Sequence, residues 1–154
     1  MLDIFEELKS ITKLLISKNI NYALCGGLAM AVYGKTRATV DIDLLILSES
    51  LDEVLESVRE LGYTIKAQPT TFAGGSVEIR RISKLDPDAG DLLALDLLLV
   101  TSAIKNAWDT RIQMRWDDGI ISVVSRDGLI SLKSLRKSGQ DLDDIKQLSE
   151  IDES

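Results

Sequence analysis

Apolar residues near the start of the chain recur at three- and four-residue steps: Ile4, Phe5, Leu8, Ile11, Leu15 and Ile16. That period lays them along one face of a helix, which Asn19 and Asn21 end. Tyr22 to Cys25 is a short apolar run and reads as a buried strand. Gly26-Gly27 breaks it, and Leu28 to Tyr33 suits a short helix closed by Gly34. A polar, cationic loop follows, Lys35-Thr36-Arg37-Ala38-Thr39, and then Val40 to Leu47, a strand that carries two acids. Ser50-Leu51-Asp52-Glu53 has the form of a capping box. Behind it Leu51, Val54, Leu55, Val58 and Leu61 share a helical face, and Gly62 stops the helix.

Tyr63 to Lys66 reads as a strand, and Ser76 to Ile82 alternates as another, with Val77, Ile79 and Arg81 on one face. Asp86-Pro87-Asp88-Ala89-Gly90 is a turn signal. Asp91 to Val100 is too apolar for an exposed strand and predicts a central one. A short helix over Ser102–Trp108 and a strand over Gly119–Val124 come next. Two helices finish the chain. Ser125 or Asp127 opens the first, with Leu129, Ile130, Leu132 and Leu135 inward and Gly139 at its end. Asp141 opens the second, with Leu142, Ile145, Leu148 and Ile151 inward. The order α-β-α-β-α-β-β-β-α-β-α-α predicts an α/β (α+β) fold: a mixed central sheet of about five strands with flanking helices. Residues 1–154 form a single domain in this reading, with the C-terminal helical pair, 126–152, packed on it.

Composition narrows the chemistry. The chain has 154 residues, 45% hydrophobic and 28% charged, enough apolar content for a core. Histidine is absent, which removes Ser-His-Asp hydrolysis, Cys-His catalysis and His-ligated metals. The single cysteine, Cys25, excludes an intrachain disulfide and is expected to be structural. Polar chemistry therefore falls to carboxylates, Lys/Arg, hydroxyls and hard cations. With 18 basic against 25 acidic residues the net charge is −7, which argues against a generic DNA-binding module. An acidic start without a signal-peptide pattern, and no apolar stretch long enough to span a membrane, make cytoplasmic residence the expectation.

The acids stand out against this background. Asp41 and Asp43 flank Ile42, so on a strand both carboxylates face one side, with Cα atoms roughly 7 Å apart. They repel each other unless a cation bridges them. Asp96 sits inside Leu92-Leu93-Ala94-Leu95-Asp96-Leu97-Leu98-Leu99, where an unpaired charge is costly. It either completes a three-carboxylate metal site beside Asp41 and Asp43 or pairs with Arg80 or Arg81 of the neighbouring strand. Gly26-Gly27, between a strand and a helix, is either a tight turn or a place where phosphate approaches the backbone.

Gly26-Gly27, Gly34, Arg37, Thr39, Asp41-Ile42-Asp43-Leu44 and the later Asp96 together resemble the nucleotidyltransferase superfamily of the polymerase-beta type. The segment ALCGGLAMAVYGKTRATVDIDLLI looks most like small bacterial AbiEii-like (abortive-infection, toxin–antitoxin) members. The tail GLISLKSLRKSGQDLDDIKQL is similar to their closing segment, with Lys133, Arg136 and Asp141 at matching positions. The turn departs from the Gly-Ser form at Gly27. A related pattern occurs in lincosamide-modifying nucleotidyltransferases, whose histidine near the D-x-D is missing here. The resemblance implies Mg²⁺ or Mn²⁺ at Asp41, Asp43 and Asp96, with an NTP as substrate. Gly26, Gly27, Arg37, Thr39 and Lys133 would bind the nucleotide. An NMP would pass to an acceptor hydroxyl of RNA, protein or a small molecule, and a cognate antitoxin or other partner protein would be expected. Lys133, at the edge of its helix's apolar stripe, would reach the phosphates, and its removal should hardly affect folding. The alternatives are an inactive nucleotidyltransferase-like antitoxin partner and an antibiotic nucleotidyltransferase. A haloacid-type phosphatase, which needs Gly-Thr after its D-x-D, does not fit Leu44-Leu45-Ile46.

Overall fold

Asp3 caps the first helix, α1 (Ile4–Ser17), by accepting the N–H groups of Phe5 at 2.9 Å and Glu6 at 3.3 Å. The helix ends at Asn19, whose φ of +58° turns the chain while the Ile20 N–H reaches back to the Leu15 carbonyl. Leu8, Ile11 and Leu15 are fully buried, whereas Phe5 and Ile16, expected inward, are largely exposed. The computed structural model describes residues 2–35, 41–136 and 139–150. Along it follow β1 (Ala23–Cys25), α2 (Gly26–Val32), β2 (Asp41–Ile46), α3 (Leu51–Arg59), β3 (Ile65–Lys66), β4 (Thr70–Phe72), β5 (Val77–Leu85) and β6 (Leu92–Leu99). The remainder is α4 (Lys105–Asp109), β7 (Ile112–Trp116), β8 (Gly119–Val123), α5 (Arg126–Arg136) and α6 (Gly139–Ser149).

The strands form one mixed sheet in the order β3-β5-β6-β2-β1-β8-β7, with β4 also pairing β5. β2 and β6 are parallel neighbours, and β5 runs antiparallel to β6. β6 is central, as its unbroken apolar run requires, and β2 beside it buries Ile42 completely. Among the described residues there are eight strands rather than about five. β4 and β7 escape the pattern because they are short and lie at the margins of the sheet, where polar residues are tolerated. β3 is only two residues, and Tyr63, expected in that strand, is instead a fully buried anchor before it.

Two local expectations are corrected. Ser50 makes no capping bond: a 3₁₀ turn over Ser48–Ser50 leads directly into α3 and gives Ser50 helical dihedrals. In α6 the inward positions are Asp144 and Leu148, while Leu142 is 57% exposed. The helix starts at Gly139 rather than Asp141 and turns an acid, not a leucine, toward α5. Val40 and Ile151, placed on a strand and an inward face by the sequence, lie outside the described residues.

Polar ties hold α1 to the sheet. The Tyr63 hydroxyl donates to Glu7 Oε1 at 2.9 Å, and Lys84 Nζ donates to the same oxygen at 2.9 Å. Burial, then Glu7, raises the Tyr63 phenol well above its ordinary pKa. The folded state thus favours neutral Tyr63, a contribution complete below the unfolded phenol's pKa of about 10 and lost as pH rises beyond it. Tyr63→Phe should cost about 1 kcal/mol at neutral pH. The variant should also lose stability less steeply than wild type above about pH 10, read by urea unfolding across pH. Parallel pH profiles would show that Tyr63 does not carry the alkaline limb.

In the β5–β6 turn, Asp86 Oδ1 accepts from Asp88 and Ala89 and Oδ2 from the Leu2 N–H, which holds its carboxyl below the usual range.

Candidate active site

Three adjacent strands set out the site. Asp43 of β2 is the direct register partner of Asp96 on β6, and Asp96 is the partner of Arg81 on β5. Asp41 lies two residues before Asp43, on the same face by the strand period. Arg81 Nε donates to Asp96 Oδ1 at 2.7 Å and Nη2 to Asp96 Oδ2 at 2.9 Å. The same Nη2 stands 3.4 Å from Asp41 Oδ2, so one guanidinium spans two of the three carboxylates. Of the two partners offered by the sequence it is Arg81, not Arg80, that pairs Asp96. The Asp96 side chain is 9% exposed and that of Arg81 45%. The Asp96 hydrogen bond, with Asp41 and Asp43 behind it, raises the Arg81 pKa further above its already high ordinary value.

Gly26 sets the depth of the turn. Its φ is +68°, a region that L side chains rarely occupy. A Cβ there would stand 2.7 Å from Asp43 Cγ and collide with Asp43 Oδ2. Glycine is therefore required twice, for the dihedral and for the room that the Asp43 carboxylate takes. Cys25, immediately before, is 1% exposed and donates its S–H to the Asp43 carbonyl at 3.6 Å, a structural position as expected.

These groups wall a cavity of about 550 Å³, within the usual size of a small-ligand site. Gly26, Gly27, Asp41, Asp43, Asp96 and Lys133 all line it, as do Val77, Ile79 and Arg81 from one face of β5. Arg37 and Thr39 lie outside the described residues, as do the side chains of Arg136 and Asp141. Ala67, Gln68, Thr70 and Phe72 add a wall that the sequence did not announce, since no periodicity marks that segment.

Lys133 lines the cavity, but its side chain lies buried instead of at the edge of the helix's apolar stripe. It is 5% exposed, and its Nζ donates to Asp144 Oδ2 at 2.8 Å, with Asp144 itself 1% exposed. Ser125, one of two expected openers of α5, accepts the Gly128 N–H at 3.1 Å and aims the helix so that Leu129, Leu132 and Lys133 face the cavity. The signal for Asp144 was available as an acid eleven residues from Lys133 on the facing helix, but the Leu142 stripe outweighed it.

The carboxylates of Asp41 and Asp43 are hard oxygen donors, 34% exposed at Asp41, and Gly26 leaves space for Asp43 at the turn. They fit a divalent ion that takes one or two carboxylates and completes its shell with phosphate oxygens and water. Among the described residues no three acidic side chains surround a single point as a closed metal cage. Each oxygen of Asp96 accepts one hydrogen bond from Arg81.

The comparisons bear on the fold and the family. The lincomycin-bound crystal structure of the lincosamide antibiotic adenylyltransferase LnuA superposes with a TM-score of 0.64 at 20% identity, covering 96% of this chain and 97% of that one. The ANT(2")-Ia complex with adenylyl-2"-tobramycin gives 0.64 at 15% identity, covering 93% and 86%. TM1012 of Thermotoga maritima, a putative nucleotidyltransferase by its description, gives 0.61 at 13% identity, covering 95% and 88%. At these identities the likeness is one of fold. No curated protein sequence matches. The family model described as "Nucleotidyl transferase AbiEii toxin, Type IV TA system" matches residues 15–125, which include β1, the glycine turn, the D-x-D strand and the strand of Asp96. With most of the chain so matched, on a sheet that nucleotidyltransferases share, this protein is a nucleotidyltransferase and belongs to the AbiEii family.

Proposed function

We propose that the protein transfers a nucleoside monophosphate from an NTP to an acceptor hydroxyl, with Mg²⁺ or Mn²⁺ held by Asp41 and Asp43. The observation that carries this reading is the convergence of Gly26, Gly27, Asp41, Asp43, Asp96 and Lys133 on one cavity. A divalent ion there supplies charge neutralisation to the triphosphate. Gly26 and Gly27 let the phosphates approach the backbone, and Lys133, held by Asp144, presents an ammonium hydrogen-bond donor at the wall. Asp96 accepts the acceptor's hydroxyl proton, because a carboxylate keeps lone pairs beyond the two that Arg81 engages. The acceptor oxygen bonds to the α-phosphorus, the bond to the β-phosphate oxygen breaks, and pyrophosphate leaves with that electron pair. Arg37 and Thr39 are assigned to the nucleotide by the family pattern alone.

The match to a family described as a type IV toxin supports a toxin–antitoxin role for the enzyme, and a cognate antitoxin would then be its partner. A second reading, adenylyl transfer to a small hydroxylated molecule, is favoured by the nearly complete mutual coverage with LnuA. One experiment separates them. The protein is incubated with each labelled NTP, Mg²⁺ and a cell extract, and the product is digested with nuclease or protease or filtered by size. Label in RNA or protein supports the toxin reading, and label in the small-molecule fraction supports the second. Asp43→Asn should lower transfer at least a thousandfold, about 4 kcal/mol in the barrier. Undiminished transfer by Asp43→Asn would refute the assignment.

A further inference from the structure

The Arg81 fork on Asp96 changes what a three-carboxylate site can hold. Arg81 reaches Asp96 with two charge-assisted bonds of 2.7 and 2.9 Å and leans on Asp41 at 3.4 Å. Its guanidinium therefore lies between two carboxylates, in the position where a second cation bridging them would stand. Resting on the proposed metal role of Asp41 and Asp43, we infer that the nucleotide-free protein is a one-metal site, in which Arg81 takes the place of a second divalent ion.

The hydrogen-bond geometry favours this. A second divalent ion on Asp96 would displace two hydrogen bonds of a planar fork that matches carboxylate geometry. Otherwise it would stand beside a like charge that touches the same oxygens. Asp96, with a side chain only 9% exposed, receives from Arg81 the compensation that its place in an apolar strand demands. The register sets Arg81 directly opposite Asp96 across β5 and β6, so the guanidinium has only a short distance to reach its carboxylate.

The test counts ions without turnover. Mn²⁺ is titrated into the intact, nucleotide-free protein and the unbound ion is read by electron paramagnetic resonance. Wild type should bind one Mn²⁺ in its tightest class, and Asp43→Asn should lose it. Arg81→Gln should take up a second Mn²⁺ with spin coupling between the two ions, and Arg81→Gln with Asp96→Asn should return to one. Arg81→Lys, which keeps the charge, should stay at one. Two coupled ions in wild type, or a single ion in folded Arg81→Gln, would overturn the inference while leaving the transfer reading in place. No tight ion in wild type would overturn both. Circular dichroism checks that each variant folds, and where Arg81→Gln does not, Arg81→Met, which also removes the charge, takes its place with the same two coupled ions expected.

Discussion

Lys133→Ala should destabilise the protein by about 3–5 kcal/mol, the usual cost of removing one partner of a buried ion pair. The reason is Asp144, which is 1% exposed and would lose the 2.8 Å contact from Lys133 that helps offset the cost of burying it. Urea unfolding followed by tryptophan fluorescence measures the loss. Lys133→Met with Asp144→Leu should recover much of it, because an apolar pair of similar size carries no uncompensated charge. Lys105→Ala is the control, since Lys105 pairs with Asp109 on an exposed helix surface and should cost under about 0.5 kcal/mol. Equal losses at Lys133 and Lys105 would show that the buried pair contributes nothing special. The same burial warns that a transfer assay on Lys133→Ala reads folding together with chemistry. This replaces the expectation that Lys133 could be removed with little effect on stability.

Gly26→Ala should lower transfer at least a hundredfold, the scale associated with displacing a reacting group by about 1 Å. Its Cβ would meet the Asp43 side chain at 2.7–2.9 Å from Cγ and Cβ, so that carboxylate has to move. The positive φ adds roughly 1–2 kcal/mol of backbone strain. Gly34→Ala separates the two effects. Gly34 also has a positive φ, +82°, but among the described residues nothing lies within 4 Å of a Cβ placed there. Gly34→Ala should therefore cost a similar strain in urea unfolding and leave the rate within a few-fold of wild type. Equal rate losses in the two variants would reduce the role of Gly26 to backbone strain.

The fold was most legible where a single face is buried. Leu8, Ile11 and Leu15 on α1, Val54 and Val58 on α3, and the apolar run of β6 all point where their periodicity says. The adjacency of the D-x-D strand and the Asp96 strand was also readable, because an acid in a central strand needs a polar neighbour. Short strands with exposed residues, β4 and β7, left no such trace. At the site, the sequence offered Arg81 only as one of two salt-bridge candidates. Local patterning carries no information on the register between β5 and β6, and that register singles it out. Asp144 was hidden for a related reason. A leucine is the better core residue in isolation, yet a lysine already committed to the facing helix makes the acid the better partner.

β4 and β3 are three and two residues long, every one exposed, and both pair with the same edge of β5. With so little burial, this part of the cavity wall should open far more often than the chain as a whole unfolds. In native-state hydrogen exchange its amides should become deuterated first. Those of β6, in the middle of the sheet, should wait for global unfolding. A bound nucleotide that touches Gln68, Thr70 or Phe72 would slow exchange in this wall selectively, giving a reporter of occupancy that needs no acceptor and no turnover.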